Sequence, residues 1–372
     1  MNNNSNLGKK ILYINFSMAM GGIESMIFDF SLHYRKLGHH VEVLTFKPDG
    51  VFIEKLQNHK VKVTVIEKKE GLDFSLFMKI ARFLKSNRFD VLHTNNYATW
   101  LYVSLANYFL GPKVKLIHTE HSIVDANTSR RLKIEKLLSI FTHKIVPVSD
   151  SVYDALFKTA KIKKDKLSLI YNGVNTDKFY PDCNIKQELR AEYNIDNNCK
   201  IFGAIGRLVP VKDHHTLILA FRDYLKSFPN DKLFIIGNGV LFDELTKKIL
   251  ELNIANNVLL LGQKDNIYEL LNLFDIYVMS SLSEGFSIGL MEAMSMELPV
   301  IVTNVGGNKE IVLNNVNGRY ISAGDAANMT LVFNDVRKNI ENTTSYGKMA
   351  RKSILGTYSA ARMFKEFSKL YF

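Results

Sequence analysis

Short apolar runs alternate with helix-like stretches along nearly all of this 372-residue chain, in two successive sets. The first set reads as strands at residues 11–16, 41–46, 61–66, 91–94, 116–119, 145–148 and 167–171. The second reads as strands at 201–205, 233–236, 258–261, 276–279, 300–303 and 319–321. Runs apolar on both faces suit parallel strands covered by helices on both sides. Two such sets predict an α/β chain of two doubly wound domains facing each other across a cleft. The polar stretch 182–200 reads as a linker or edge structure, and 346–356 and 359–370 as closing helices.

Composition narrows the class. Hydrophobic residues at 47% and charged residues at 23% are ordinary for a soluble globular protein. No apolar run reaches the roughly 18–20 residues of a membrane span; the stretch 97–110 is too short and carries Asn107. The polar first six residues lack the apolar core of a signal peptide and read as a frayed tail. Cys183 and Cys199 have neither metal-ligand spacing nor a disulfide pattern. These features predict a cytoplasmic protein. The net charge of +11 is unevenly placed: residues 1–180 hold 27 Lys and Arg against 16 Asp and Glu, and the remainder holds 21 of each. A basic half suits nucleic acid, an anionic membrane or an acidic acceptor, and charge alone does not choose among them.

The most specific segment follows the apolar run at 276–279. It reads Ser283-Glu284-Gly285-Phe286-Ser287-Ile288-Gly289-Leu290-Met291-Glu292-Ala293-Met294. A strand, a glycine turn and a helix opening near Ser287 would put Glu284 at the strand's carboxyl edge, where open α/β sheets bind ligands. Glu292 would lie about a turn and a half into the helix. Amides at Ser287, Ile288 and Gly289 could hold a phosphate, and carboxylates beside a phosphate cradle suit hydroxyl-rich groups. Together they point to a nucleotide-sugar. Upstream, Gly206-Arg207-Leu208 with Lys212 puts two cations within reach of one diphosphate. Met20-Gly21-Gly22-Ile23-Glu24 follows the first strand; its paired glycines let backbone amides approach a ligand, while Glu24 could equally be a helix N-terminal charge.

At these residues the chain resembles the retaining glycosyltransferases of the GT-B fold, family 4. The resemblance implies that Glu284 contacts the donor sugar and Glu292 the ribose, while Arg207 and Lys212 neutralise the leaving diphosphate. It further implies that Gly21 and Gly22 face that diphosphate and that the loop holding Gln263 touches the base. Asp-x-Asp is absent, so no cofactor and no essential metal are expected. Where the family usually has glycine after the helix, this chain has Glu297. The expected activity is transfer from a nucleotide diphosphate sugar, UDP favoured, to a glycan or lipid-linked acceptor in cell-surface polysaccharide synthesis. The expected domains are 1–180, on the acceptor side with helix 357–372 returning to it, and 181–356, which binds the donor.

Among the first-half histidines, His121 in His118-Thr119-Glu120-His121-Ser122 is expected to act in catalysis near the acceptor. His93 is as well explained by packing, His118 better so, and strand alternation is taken to turn His118 and Glu120 apart. Ile134, Leu137, Leu138 and Phe141 are expected to share one face of a basic helix over 130–141. That helix is either a packing element or a seat on the anionic inner face of the cell membrane. Rival readings are a UDP-N-acetylglucosamine 2-epimerase and a non-catalytic nucleotide-sugar-binding protein. Nucleic-acid binding is not expected, because basic motifs interleaved with aromatics are missing.

Overall fold

The structure is a computed structural model describing residues 8–121 and 129–372. The polar tail and Ser122 lie outside the described residues. The first sheet holds β1 (Lys10–Asn15), β2 (His40–Thr45), β3 (Lys62–Val65), β4 (Val91–Thr94), β5 (Lys115–Glu120) and β6 (Lys144–Pro147). The second holds β7 (Ile201–Ile205), β8 (Lys232–Ile236), β9 (Val258–Gly262), β10 (Ile276–Met279), β11 (Val300–Thr303) and β12 (Arg319–Ile321). Every pairing is parallel. The orders are β3-β2-β1-β4-β5-β6 and β12-β11-β10-β7-β8-β9, the same winding twice. It reverses between β1 and β4 and between β7 and β10. At each reversal the connections leave in opposite directions and open a crevice beyond the strands' carboxyl ends.

The chain forms two compact units. One runs up to Tyr171 and takes back Met363–Phe372; the other is Asn172–Arg362. The boundary expected after residue 180 thus lies after Tyr171, and the returning segment starts at Met363. Backbone pairing explains the first shift: Val174 bonds Tyr358 and Ala360, tying the start of the second unit to its end. A side chain at Gly173 would meet the Ser359 carbonyl oxygen at 2.6 Å. In the first unit the last helix packs Phe364 and Phe367 on Phe30, each 5.0 Å between ring centres.

Three local expectations fail. Residues 167–171 make one isolated bridge, Leu167 to Ile145, rather than a seventh strand. The stretch read as linker holds the helix Cys183–Glu192, capped by Asp182 on the amides of Asn184 and Ile185. None of that helix is buried; Lys186 and Arg190 fasten it through Asp275, at 2.8 and 3.3 Å. The helix Ser129–Ile140 does not gather its apolar residues on one face. Leu138 is buried and Ile134 lies against the core, while Leu137 and Ile140 point outward.

Candidate functional site

The second unit's reversal point is built by two loops, one after β7 and one after β10. Gly206–Leu208 passes so close to the next loop that a Cβ on Gly237 would stand 1.9 Å from the Gly206 carbonyl oxygen. One on Gly239 would stand 2.4 Å from that of Leu208, so only glycine fits either place. The Gly-x-Gly here is therefore a backbone contact. A short turn, Pro210–Lys212, then delivers Lys212 to the edge. Ser280 donates to the Lys212 carbonyl at 2.8 Å, and the Leu282 amide to that of Val211 at 2.8 Å. These bonds tie the two loops together.

Glu284 receives what these loops present. Its Oε1 accepts from Lys212 Nζ at 2.5 Å and from Ser281 Oγ at 2.6 Å. Both members of the pair are largely shielded, with side chains 21% and 9% exposed. A third loop braces Glu284 from behind. A Cβ on Gly306, whose φ is +44°, would lie 1.9 Å from the Glu284 carbonyl oxygen, and one on Gly307 1.8 Å from that of Gly285. Arg207 is exposed at the same edge, and Gln263 lies exposed just past the end of β9.

The helix Ile288–Ser295 begins directly beyond. Ser287 caps it, accepting from the Leu290 amide at 3.3 Å. The cap serves the third helical amide; those of Ile288 and Gly289 have no carbonyl inside the helix to bond. Beneath them is a residue the sequence reading passed over, Tyr277 of β10. Its hydroxyl is buried without a hydrogen-bond partner, 3.5 Å from where a Gly289 Cβ would stand. Burial, and then the charges of Glu284 and Glu292, hold that phenol protonated far above its ordinary range. The charges of Glu284 and Glu292 thus both act on one buried hydroxyl. His214, at the start of the helix after Lys212, is also buried, and burial pulls its imidazole down to about 4. It is neutral beside Lys212. Lys212, His214, Ser280, Ser281 and Glu284 help line a cavity of about 10 Å³, the size of one water molecule.

The first unit's reversal point carries Gly21 and Gly22. Gly21 precedes the helix Gly22–Lys36, and a Cβ there would collide with Glu24 Oε2 at 2.4 Å. Glu24 is held by Asn15 Nδ2 at 2.9 Å, and Asn15 in turn by Asn96 Nδ2 at 2.6 Å. His121 lies one residue past β5; burial pulls it down to about 4, against the opposing charge of Glu120, so it is neutral at pH 7. His93 is a packing residue, with Nδ1 on the Tyr371 hydroxyl at 2.6 Å and Nε2 on Thr119 at 2.7 Å. His118 stacks on Trp100 at 4.1 Å and reaches Glu120 at 3.5 Å. The two therefore share a face, as residues two apart on a strand must.

Two family descriptions cover most of the chain. "Glycosyltransferase Family 4" matches residues 20–178, and "Glycosyl transferases group 1" matches 185–353. The chain is a family 4 glycosyltransferase. The enzyme is 28% identical over 263 residues to an Escherichia coli UDP-Gal:α-D-GlcNAc-diphosphoundecaprenol α-1,3-galactosyltransferase, spanning 68% of this chain and 67% of that one. It is 26% identical over 311 residues to the Bacillus anthracis N-acetyl-α-D-glucosaminyl L-malate synthase, spanning 81% and 79%. A crystal structure of HepE from Anabaena with UDP and glucose shares the GT-B fold. Its TM-score is 0.87 at 22% identity, over 97% of this chain and 98% of that one.

In this glycosyltransferase Arg207, Lys212, Gln263, Glu284, Ser287, Ile288, Gly289 and Glu292 all lie on the carboxyl side of the second sheet. Gly21, Gly22 and His121 lie on the same side of the first sheet. Sequence reasoning missed Tyr277 because an aromatic inside an apolar strand reads as core. It missed Asn15 and Asn96 for want of any motif, although a polar residue closing an apolar strand was a usable signal. The wider depression in the second unit, about 620 Å³, sits at the opposite, amino-terminal edge. There Arg337 pairs with Asp231 at 2.8 Å, and Lys232 donates to the Asn256 carbonyl at 2.9 Å.

Proposed function

We propose that this glycosyltransferase moves a sugar from a UDP-sugar to a lipid-linked glycan acceptor with retention of the anomeric configuration, in the building of a cell-surface polysaccharide. The observation that carries the reading is the cluster of Lys212, Ser281 and Glu284 beside a capped helix start. It pairs a cation for a diphosphate with a carboxylate for sugar hydroxyls in one rigid edge. The E. coli relative is named for UDP-Gal and a diphosphoundecaprenol acceptor, and HepE was crystallised with UDP-glucose; both support the donor, and the first supports the acceptor.

In this account the Ile288 and Gly289 amides and Arg207 take the diphosphate, and Glu292 takes the ribose hydroxyls. The incoming anion competes with Glu284 for Lys212, which frees the Glu284 carboxylate to accept from the sugar. As the glycosidic bond breaks, the nucleoside diphosphate gains negative charge, and fixed cations stabilise it most at that point. The acceptor attacks on the face the nucleotide leaves, and the leaving phosphate takes its proton. Neutral His121 is positioned to accept a hydrogen bond near the acceptor. Arg207 and Lys212 supply the charge a metal would otherwise bring, so we propose metal independence. The test is transfer from labelled UDP-sugars to a lipid-linked acceptor in EDTA, with the product anomer read by NMR. Retention with full activity is expected. Inversion, or loss in EDTA restored by manganese, contradicts the reading; turnover of UDP-N-acetylglucosamine without acceptor makes the protein an epimerase.

A further inference from the structure

His214 is out of place on the helix that carries it. The helix His214–Tyr224 turns His214, Leu217, Ile218 and Phe221 to one buried face, so an imidazole holds the first place of an otherwise apolar stripe. Its neighbour His215 points outward and pairs with Glu244 at 2.7 Å. His214 is 4% exposed, and neither ring nitrogen has a hydrogen-bond partner in the protein. The Arg207 backbone favours a ring N–H without reaching full bonding geometry. Buried polar groups are ordinarily paired, with protein or with ordered water. A neutral imidazole has one N–H and one bare nitrogen, and the bare one must be given a hydrogen by something else.

The ring borders the cavity of about 10 Å³ that Lys212, Ser280, Ser281 and Glu284 also line. Lys212 and His214 reach it together because Asp213 between them turns the chain with φ +49° and caps the helix through the Thr216 amide. The volume suits one water, and the walls supply its polar partners. The Ser280 hydroxyl is committed to the Lys212 carbonyl at 2.8 Å, and that of Ser281 to Glu284 at 2.6 Å. Lys212 gives one N–H to Glu284 at 2.5 Å and has others to give. The ammonium thus has hydrogens to spare, and the ring has a lone pair to fill. A water between them accepts from Lys212 and donates to His214, and its second hydrogen meets Glu284.

We propose that His214 is a positioning residue for Lys212, acting through one internal water held in this cavity. The role rests on the donor reading of the same edge and supplies what that reading lacks, an anchor for Lys212 once Glu284 turns to the sugar. In the free protein the carboxylate holds the ammonium. With donor bound that hold is released, while the water and the ring remain and keep the ammonium at the edge. A neutral ring does this without cancelling the positive charge that the diphosphate needs. Burial, which pulls the imidazole down to about 4, keeps its nitrogen bare at neutral pH. Water-mediated bonds of this kind hold nearly as well as direct ones.

Two measurements on the full chain test it. The first is a crystal structure without donor, at a resolution that shows ordered water. One water should lie within hydrogen-bond distance of His214 and Lys212, and it should be lost in His214→Leu. A dry cavity in the wild type, or a water that stays in place in the leucine variant, overturns the proposal whatever the donor proves to be. The second is transfer from labelled UDP-sugars to a lipid-linked acceptor. His214→Leu should lower kcat about tenfold, the effect of a loosely held catalytic group, with a much smaller change in donor KM. His214→Gln, whose amide oxygen can accept in place of the ring nitrogen, should recover most of that loss. In a Lys212→Ala background the leucine change should cost nothing further, because its effect runs through Lys212. Should leucine prevent folding, the more adaptable His214→Met carries the same expectations. A leucine variant with wild-type kcat, a glutamine variant as slow as leucine, or the same tenfold loss without Lys212 contradicts the role. A wild type inactive with every UDP-sugar fails the donor reading, and the crystal structure then decides this one.

Discussion

The two units share one winding and differ in how they hold charge. The second gathers its candidate site at one edge, where Glu284 accepts from Lys212 at 2.5 Å and from Ser281 at 2.6 Å and is backed by glycines. The first spreads exposed cations over a helical face and buries His93 and His118 in its sheet. A parallel sheet fixes where a ligand edge falls, and leaves the outer helix faces open to serve another contact. Concentrated charge should be sensitive to single substitutions and dispersed charge should not.

The largest expected effect follows from that contrast. Lys212→Ala should lower kcat by about two to three orders of magnitude, the usual result of removing one fixed group that meets developing charge. KM for the donor should change much less. Lys133→Gln in the first unit should leave turnover on a soluble acceptor unchanged. Equal losses in the two variants would break the comparison.

Acid stability comes next. Burial lowers His93 and His121 in the first unit and His214 in the second, so the folded chain refuses protons that the unfolded chain takes up below pH 6.5. Stability therefore falls as pH drops from 6.5 toward 4, by about 1.4 kcal/mol per pH unit for each histidine. Glu135 acts in the opposite sense. Burial first, and then Glu120, raise it to about 7, so the fold gains stability as pH falls from 7 toward 4.5. It cancels one histidine, in the first unit. Urea midpoints at pH 7 and pH 5 should show the net loss, and His214→Asn should flatten it. A midpoint that does not fall on acidification would contradict these assignments.

The smallest effect sharpens the account of the second unit's packing. Glu297 stops the helix Ile288–Ser295 with φ +58°, a conformation costing an L-residue about 1–2 kcal/mol. Its compensating contact, Arg351 at 3.9 Å, is long and partly exposed. Glu297→Gly should raise the thermal midpoint slightly, by about 1 kcal/mol of stability. A lowered midpoint would show that the Arg351 contact outweighs the strain.

The strands were legible because a parallel strand covered on both sides must be apolar throughout, and that pattern is local. All twelve were anticipated within a residue or so. The helix Cys183–Glu192 was not, because ion pairs to Asp275 hold it and it has no apolar stripe. Residues 167–171 were misread because their apolar side chains pack without a ladder. The pairing of Lys212 with Glu284 joins residues 72 positions apart and depends on β7 and β10 being neighbours, which no local pattern encodes. Leu137 was assigned to the wrong face because helical spacing alone cannot say which side meets the core. Tyr277 and Asn15 became visible only through their partners, or the lack of one.

The claim at the centre is that the second unit's edge holds a nucleoside diphosphate, with Glu292 on its ribose. Calorimetry of UDP binding to wild type and to Glu292→Ala tests it most directly. A charged hydrogen bond is worth about 1.5–3 kcal/mol, so affinity should fall about ten- to a hundredfold while the unfolding midpoint stays put. Unchanged affinity in the variant, or a wild type that does not bind UDP, would contradict the account.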